Sequence, residues 1–469
     1  MAGPALSAVA ATERTAKRGQ RPAKLRLSQY LGYGAGDAAN NLAFSMSSMF
    51  LLLYYTDVLG ISAAAAGTLF LVVRVWDAFA DLFAGRVVDT TSTRWGRFRP
   101  FLLFGSLPLL VLSVAIFTVP DFSATGELVY AYVSYALFGL AYSLVNIPYG
   151  SLATAMTQEP EERAKLSSFR IVGSNLTILL LAVIVSPQIE GSDDLQRSLT
   201  ITTSIFLVVG MALYLFTFFT SREQVQHDEA KVTLHQAAET VKQNRPLVLL
   251  CLSGLVFLTG WYSLQTVAIY YARDVLGDAN LYIVITIVQT AGVFAAAALI
   301  PRLVGTIGKK RAYLVFGVVA IVGGLGVGFA PASIPAIAIA FFGVLGIGLG
   351  GVNTLMFALA ADTVEFGEWR TGFRIEGGIY SVFSFTRKVG QGVGAAVAAF
   401  VIGIGGYVAG AELQPSSAED AIKVAAGLLP AGFILIALAI MAAYPLTDDR
   451  FREIVAELAE RRARDDHAG

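Results

Sequence analysis

The sequence predicts an all-α membrane protein, twelve transmembrane helices in two six-helix bundles with both termini cytoplasmic, and three observations predict it. Hydrophobic residues make up 55% of the 469 residues and charged residues 14%, with a mean hydropathy of +0.65, whereas soluble domains carry about 25% charged residues. Apolar windows of about twenty residues, enough to cross a bilayer as helix, recur about twelve times. Lys and Arg sort to one side of those windows.

The windows lie near 30–55, 61–86, 101–119, 128–155, 166–186, 199–219, 247–271, 280–303, 312–330, 334–361, 378–408 and 422–445. Even-numbered connections carry Arg94, Arg97 and Arg99, then Arg163 and Lys165, Arg222, Lys231, Lys242 and Arg245, Lys309, Lys310 and Arg311, and Arg370 and Arg374. The odd connections carry only Arg197 and Arg273. The positive-inside rule then places both termini in the cytoplasm. Residues 1–28 read as a basic, disordered tail, 29–219 as the first bundle, 220–246 as a cytoplasmic middle loop, 247–445 as the second bundle and 446–469 as a cytoplasmic tail. Within that last tail, Phe451, Ile454 and Leu458 form an apolar stripe on an amphipathic helix. Basic connections after the second and eighth windows occupy matching positions, which suggests two parallel repeats with a site between them near midplane. The glycines of the ninth and tenth windows read as close helix packing.

Charge inside the windows points to function. In the second window Arg74, Asp77 and Asp81 fall within roughly 60° of one another on a helix. Each would cost about 2.5–3.5 kcal/mol at a bilayer centre, so the three persist only where they meet ions, substrate or one another. Polar stripes at helical spacing follow on other windows: Asp37, Asn40 and Asn41 on the first; Tyr142, Ser143, Asn146, Tyr149 and Gly150 on the fourth; Arg170, Ser174 and Thr177 on the fifth. The eleventh offers Ser381, Ser384, Lys388 and Gln391 with Arg387 beside them, and the seventh offers Trp261, Tyr262 and Gln265, an aromatic face that could stack on a sugar ring or pack in the core. Lone Ser and Thr serve equally as interhelical glue, which does not account for three intramembrane cations. An enzyme is disfavoured: His227, His235 and His467 lie in the middle loop and tail, Cys251 is alone, and no nucleophile–base pair or metal spacing occurs in the windows. Nothing calls for nucleic acid or a cofactor. A small solute, the lipid bilayer of a bacterial-type inner membrane and a monomer are expected.

The runs LGYGAGDAANNLAF, YYTDVLG, RVWDAFADLFAGRVVD, TRWGRFRPFLLFG and YSLVNIPYGSLATAMTQ resemble the glycoside–pentoside–hexuronide:cation symporters of the major facilitator superfamily, as do ADTVEFGEW, RIEGGIYSVFSFTRKVGQ and YPLTDDRFREIV. Together they span nearly the whole chain, and they are nearest the glucuronide-carrying branch. The resemblance implies import of a glycoside by cation symport. It implies a coupling-cation site at Asp77, Asp81 and Ser143 with Lys388, and a sugar site drawn from Asn41, Asn146, Gly150 and Arg170. Asp37, Tyr142, Tyr149, Ser384 and Arg387 join that site as its polar lining.

The departures from the melibiose-carrying branch have a direction. That branch has Asp at the positions of Asn41 and Asn146, and Trp at Gly150. Two like charges at about 4 Å repel by roughly 4 kcal/mol at an effective dielectric near 20, so Asn in place of Asp suits a substrate that brings its own carboxylate, such as a hexuronate. Arg170, Lys388 and Arg387 remain to meet that carboxylate. Ala80 stands where sodium-using relatives have Asn, leaving few hard oxygens for sodium. A proton needs only one carboxylate, so H+ is the expected coupling ion and Na+ at Asp77 and Asp81 the alternative. RWGRFRP and the acidic ADTVEFGEW could pair as a cytoplasmic gate when the carrier faces outward.

Overall fold

The computed structural model describes residues 24–157, 159–223, 242–372, 376–411 and 413–468. The basic tail up to residue 23, His227, Lys231, His235 and Arg374 lie outside the described residues, as do the side chains of Ser381 and His467. Among the described residues the chain is helical throughout, with one isolated bridge between Thr93 and Gly96.

Helix α1 (Leu27–Leu53) ends in a π-helical turn (Tyr54–Val58), and α2 (Ala63–Thr90) follows. A π turn (Phe101–Gly105) leads into α3 (Ser106–Ala115), then α4 (Ala124–Met156), α5 (Pro160–Gly191) and α6 (Leu195–Thr220). The second half runs α7 (Arg245–Tyr270) with a π turn (Tyr271–Val275), α8 (Leu281–Ile307), α9 (Lys309–Phe329), α10 (Pro335–Thr371) and α11 (Glu376–Ile404). Next, α12 (Ser416–Lys423) continues through a fourth π turn, Val424–Leu428, into α13 (Leu429–Ala442), and α14 (Asp448–Ala468) is the last described helix. Ser62, Ser123, Asp194 and Asn244 cap their helices by accepting backbone N–H bonds, which relieves otherwise unpaired donors. Prolines open α5, α7, α10 and α13, where no N–H is needed.

Ten of the described helices are long and apolar enough to cross a membrane. The first and third windows behave differently for separate reasons: α1 has the length but carries too many polar side chains, and the apolar stretch Arg99–Ala115 is shorter. Several helices outrun their apolar windows; α10 continues to Thr371, beyond the window ending near 361.

The packing repeats. In the first half α1 packs on α5 and α6, α2 on α4, and α3 on α6; in the second α7 packs on α11 and α13, α8 on α10, and α9 on α13. The local sequence repeats with it. YYTDVLG after α1 and YYARDVLG after α7 both form a π turn closed by Leu59 N–H to the Tyr54 carbonyl (3.2 Å) and by Leu276 N–H to the Tyr271 carbonyl (3.0 Å). Gly60 (φ 66°) and Gly277 (φ 79°) then reverse the chain in a conformation that other residues rarely adopt. The halves meet through α2 with α11, α5 with α8, and α1 with α7. In α10, a Cβ on Gly348 would lie 2.3 Å from the backbone nitrogen of Ala320, so α9 and α10 touch at van der Waals contact because glycine is there.

One end of the bundle gathers the basic connections, each tied within its own half. Glu162 accepts from Leu25 N–H (3.0 Å), the Tyr30 hydroxyl and Lys165 (2.9 Å), and those donors, the tyrosine first, hold its carboxyl down at about 2. Glu223 accepts from the backbone N–H groups of Arg97, Phe98 and Arg99 at 2.8–3.0 Å. Asp362 is paired with Lys309 of α9, and Trp369 donates to Glu457 of α14 (2.6 Å). In this conformation Glu223 takes up the RWGRFRP loop and Lys309 takes up Asp362 of ADTVEFGEW. Buried Ile454 and Leu458 seat α14, as its stripe predicts.

At the opposite end the two halves lock together. Asp57 of the first π turn accepts from the Tyr407 hydroxyl (2.8 Å), the Gly410 N–H (3.2 Å) and Arg273 (3.4 Å), and Arg273 also binds Asp274 at 2.7 Å. Thr56 and Tyr270 share a hydrogen bond at 2.8 Å, and Asn280 donates to Glu190 at 2.9 Å.

Candidate functional site

Midway along α2, Arg74 Nη1 donates to Asp77 Oδ2 at 2.9 Å and its Nη2 reaches the Tyr135 hydroxyl at 3.4 Å. Asp77 Oδ1 is buried with no hydrogen-bond partner, pressed against α4, where a Cβ on Gly139 would lie 2.1 Å from it. One turn further, Asp81 Oδ1 accepts from Ser143 Oγ of α4 at 2.6 Å, and both of its oxygens accept from Lys388 Nζ of α11 at 2.6 Å. The four residues expected at a cation site thus converge from three helices and both halves. Removing one member of such a partly buried pair strands the other charge, at about 3–5 kcal/mol.

A second cluster joins α1 to α5. Arg170 Nε donates to Asp37 Oδ1 at 2.8 Å. Asn41 Nδ2 donates to Asp37 Oδ2 (3.2 Å) and to its backbone carbonyl (2.8 Å), and Ser45 donates to Asn41 Oδ1 at 2.8 Å. The Arg170 guanidinium lies over the Tyr149 ring at 5.4 Å, with its side chain 41% exposed. Tyr149 itself is fully buried, stacks on Tyr33 at 4.9 Å and donates its hydroxyl to the Tyr33 carbonyl at 2.6 Å. It offers Arg170 a ring face, and its hydroxyl is committed elsewhere. Asn40 also turns away from the cluster, accepting from the Tyr214 hydroxyl of α6 at 2.9 Å. Tyr142 is half-buried and stacks on Phe44 at 5.1 Å; Asn146 is half-buried, and a Cβ on Gly150 would meet no atom within 4 Å.

Arg387 differs from the other cations. Its Nη1 donates to Asn353 Oδ1 of α10 at 3.0 Å, and its guanidinium covers the rings of Phe357 (4.6 Å) and Phe383 (5.8 Å). Arg74 has Asp77, Arg170 has Asp37 and Lys388 has Asp81, whereas among the described residues no carboxylate pairs with Arg387. Four cations against three carboxylates leave the middle of the bundle one positive charge in excess. A site of that kind attracts an anion. Ser384 lies one turn before Lys388 and is exposed. Asn353, which fixes Arg387, is not evident from sequence. It is a single amide on a glycine-rich helix with no polar residue at helical spacing to mark its face.

The description MFS/sugar transport protein fits residues 32–448. The chain is 46% identical over 441 residues to a glucuronide carrier protein homolog of Escherichia coli, covering 92% of this chain and 95% of that one. It is 34% identical over 448 residues to an isoprimeverose transporter of Lactiplantibacillus pentosus, covering 93% and 92%. Among solved structures, the nucleoside transporter NupG superposes with a TM-score of 0.65 at 13% identity, covering 89% of this chain and 99% of that one, a likeness of fold alone.

Proposed function

The chain belongs to the MFS/sugar transport protein family, and from that premise we propose that it imports an anionic glycoside, a β-glucuronide first among them, by proton symport through alternating access. As a member it is a multi-pass transporter of the bacterial inner membrane and not an enzyme. The observation that carries the substrate reading is Arg387, the midplane cation to which no described carboxylate is paired. A hexuronate carboxylate supplies the missing charge and accepts two parallel N–H bonds from the guanidinium. Asn353 and the two rings hold the guanidinium in place, and Asn41, Asn146 and Arg170 are left to bind sugar hydroxyls. The likeness to the glucuronide carrier homolog supports the same substrate class.

Coupling runs through Asp81. Its oxygens are taken by Ser143 and Lys388, so sodium would have to displace an ammonium group, and Ala80 brings no further oxygen. A proton on Asp81 instead cancels the charge that holds Lys388 and releases Nζ to the cavity wall, adding positive charge where the carboxylate binds. By linkage, the substrate then raises proton affinity by the same factor.

All twelve windows cross the membrane in this reading, with α1 and the short α3 among them and both termini on the basic, cytoplasmic side. Cross-half bonds at the Asp57–Arg273–Tyr407 cluster close the outer end, so the described conformation faces the cytoplasm, and rocking of one half against the other opens that cluster.

The test uses de-energised cells in weak buffer, with external pH recorded on adding a glucuronide or a matched neutral glucoside. Alkalinisation with the glucuronide alone is expected. Uptake that requires sodium and leaves pH unchanged would reject proton coupling, and a response to the glucoside alone would reject the anionic substrate.

A further inference from the structure

Beside the charged cluster, toward the closed outer end, lies a cavity of about 60 Å³ between α5, α7, α8 and α10. One buried water needs only roughly 10–15 Å³, so this space is several waters large. Its polar lining is neutral: Asn175 from α5, Gln265 from α7, and Thr286 and Gln289 from α8, with the indole of Trp261 and the ring of Tyr282 completing it. Gln289 Nε2 is buried with no hydrogen-bond partner. Thr286 donates to the Tyr282 carbonyl at 2.8 Å and Asn175 donates to the Ile171 carbonyl at 2.8 Å, which leaves oxygen lone pairs of both side chains for a ligand.

The cavity lies close to the anion site. Leu349 and Gly346 of its wall share a face of α10 with Asn353, one and two turns away, roughly 6–10 Å at 1.5 Å per residue. A ligand whose carboxylate meets Arg387 therefore places its aglycone here.

We infer that this cavity is a second sugar subsite, so that the preferred substrate is a uronic acid glycosidically linked to a neutral sugar ring rather than to an apolar aglycone. The inference rests on the anionic-glycoside reading above. Amides both donate and accept, as sugar hydroxyls do, while an apolar aglycone would leave Gln289 Nε2 buried without a partner and the oxygen of Asn175 without a donor. Trp261, held edge-on against Phe257 at 5.7 Å, presents a flat apolar face to the C–H side of a pyranose.

The experiment measures affinities of purified, membrane-reconstituted protein for methyl glucuronide, phenyl glucuronide, a glucuronic acid–hexose disaccharide and the matching neutral disaccharide. Wild type is expected to bind the disaccharide at least tenfold more tightly than phenyl glucuronide. Gln289→Leu and Gln265→Leu are each expected to abolish that preference while leaving methyl glucuronide affinity within about twofold, which also reports that the variants fold. Equal affinities in wild type, or a preference untouched by both substitutions, would overturn the subsite. A neutral disaccharide bound as tightly as the acidic one, with the preference still lost in Gln289→Leu, would keep the subsite and reject the anionic reading instead.

Discussion

Lys388 Nζ lies 2.6 Å from each carboxylate oxygen of Asp81, a pair that joins α11 of the second half to α2 of the first. Both side chains are partly screened from solvent, at 25% and 19% exposure. The bond spans the boundary that alternating access must rearrange, so whatever neutralises Asp81 also loosens the two halves. Charge and conformation are thus coupled through one contact.

Asp81→Asn is expected to abolish concentrative uptake while substrate exchange across the membrane persists. The amide imitates the protonated acid, so Lys388 is free throughout and no proton is carried. Counterflow of labelled glucuronide in vesicles, compared with uptake driven by an imposed pH gradient, checks this. Retention of gradient-driven accumulation would assign the proton to another group, with Asp77 the next candidate.

Arg387→Leu is expected to weaken glucuronide binding by about 10- to 100-fold, the worth of a charge-assisted hydrogen bond at roughly 1.5–3 kcal/mol, and to alter binding of a neutral glucoside by less than twofold. Arg170→Gln behaves differently, because Arg170 already neutralises Asp37 at 2.8 Å. Its loss strands that carboxylate and weakens both sugars together. Competition binding with the two ligands separates the cases.

The fold was legible because bilayer length is a strong constraint; it locates α2, α4, α6 to α9 and α11 to within about four residues, while α5 and α10 run further past their apolar windows. Arg74, Asp77 and Asp81 were legible because charge in an apolar run has few tolerable explanations, and the resemblance to the cation symporters added Ser143 and Lys388 to the group. The partnering was not. Asp37 and Arg170 sit on separate stripes more than a hundred residues apart, and nothing in either marks the other. Tyr149 shares a stripe with Asn146 on α4, yet its hydroxyl closes on Tyr33, because periodicity gives a face and not the neighbour waiting there. The Asp57–Arg273–Tyr407 lock was missed since Asp57 and Arg273 fall in connections that look like ordinary polar loops and Tyr407 at the end of the eleventh window; the repeat of YYTDVLG as YYARDVLG was the available signal.

That lock makes its own prediction. Asp57 accepts from Tyr407, Arg273 and the Gly410 N–H, so Asp57→Asn removes the charge that gathers them and shifts the protein toward the outward-facing state. Thr266 is buried on α7, inside the lock. In a background with Cys251 replaced by Ala, a Thr266→Cys reporter is expected to react several-fold faster with an external, membrane-impermeant thiol reagent when Asp57→Asn is present. Unchanged labelling would mean that the apolar contacts of α1 with α7 keep the outer end shut without it.

Gly139 tests whether Asp77 shares in coupling. A Cβ there would lie 2.1 Å from Asp77 Oδ1, so Gly139→Ala must push the carboxylate away from α4 or α4 away from α2. Asp77 Oδ1 has no hydrogen-bond partner where it lies, so little holds it against the methyl group. The expected result is a changed pH dependence of gradient-driven uptake, with affinity for methyl glucuronide kept within about twofold because the Arg387–Asn353 pair stands on other helices. A purely structural effect would instead lower thermal stability and weaken binding of every ligand in proportion, leaving the shape of the pH profile as it is in wild type. Asp77→Asn then distinguishes a proton carrier from a partner of Arg74: a carrier's loss removes accumulation, whereas a partner's loss strands the arginine and lowers the protein's melting temperature at every pH.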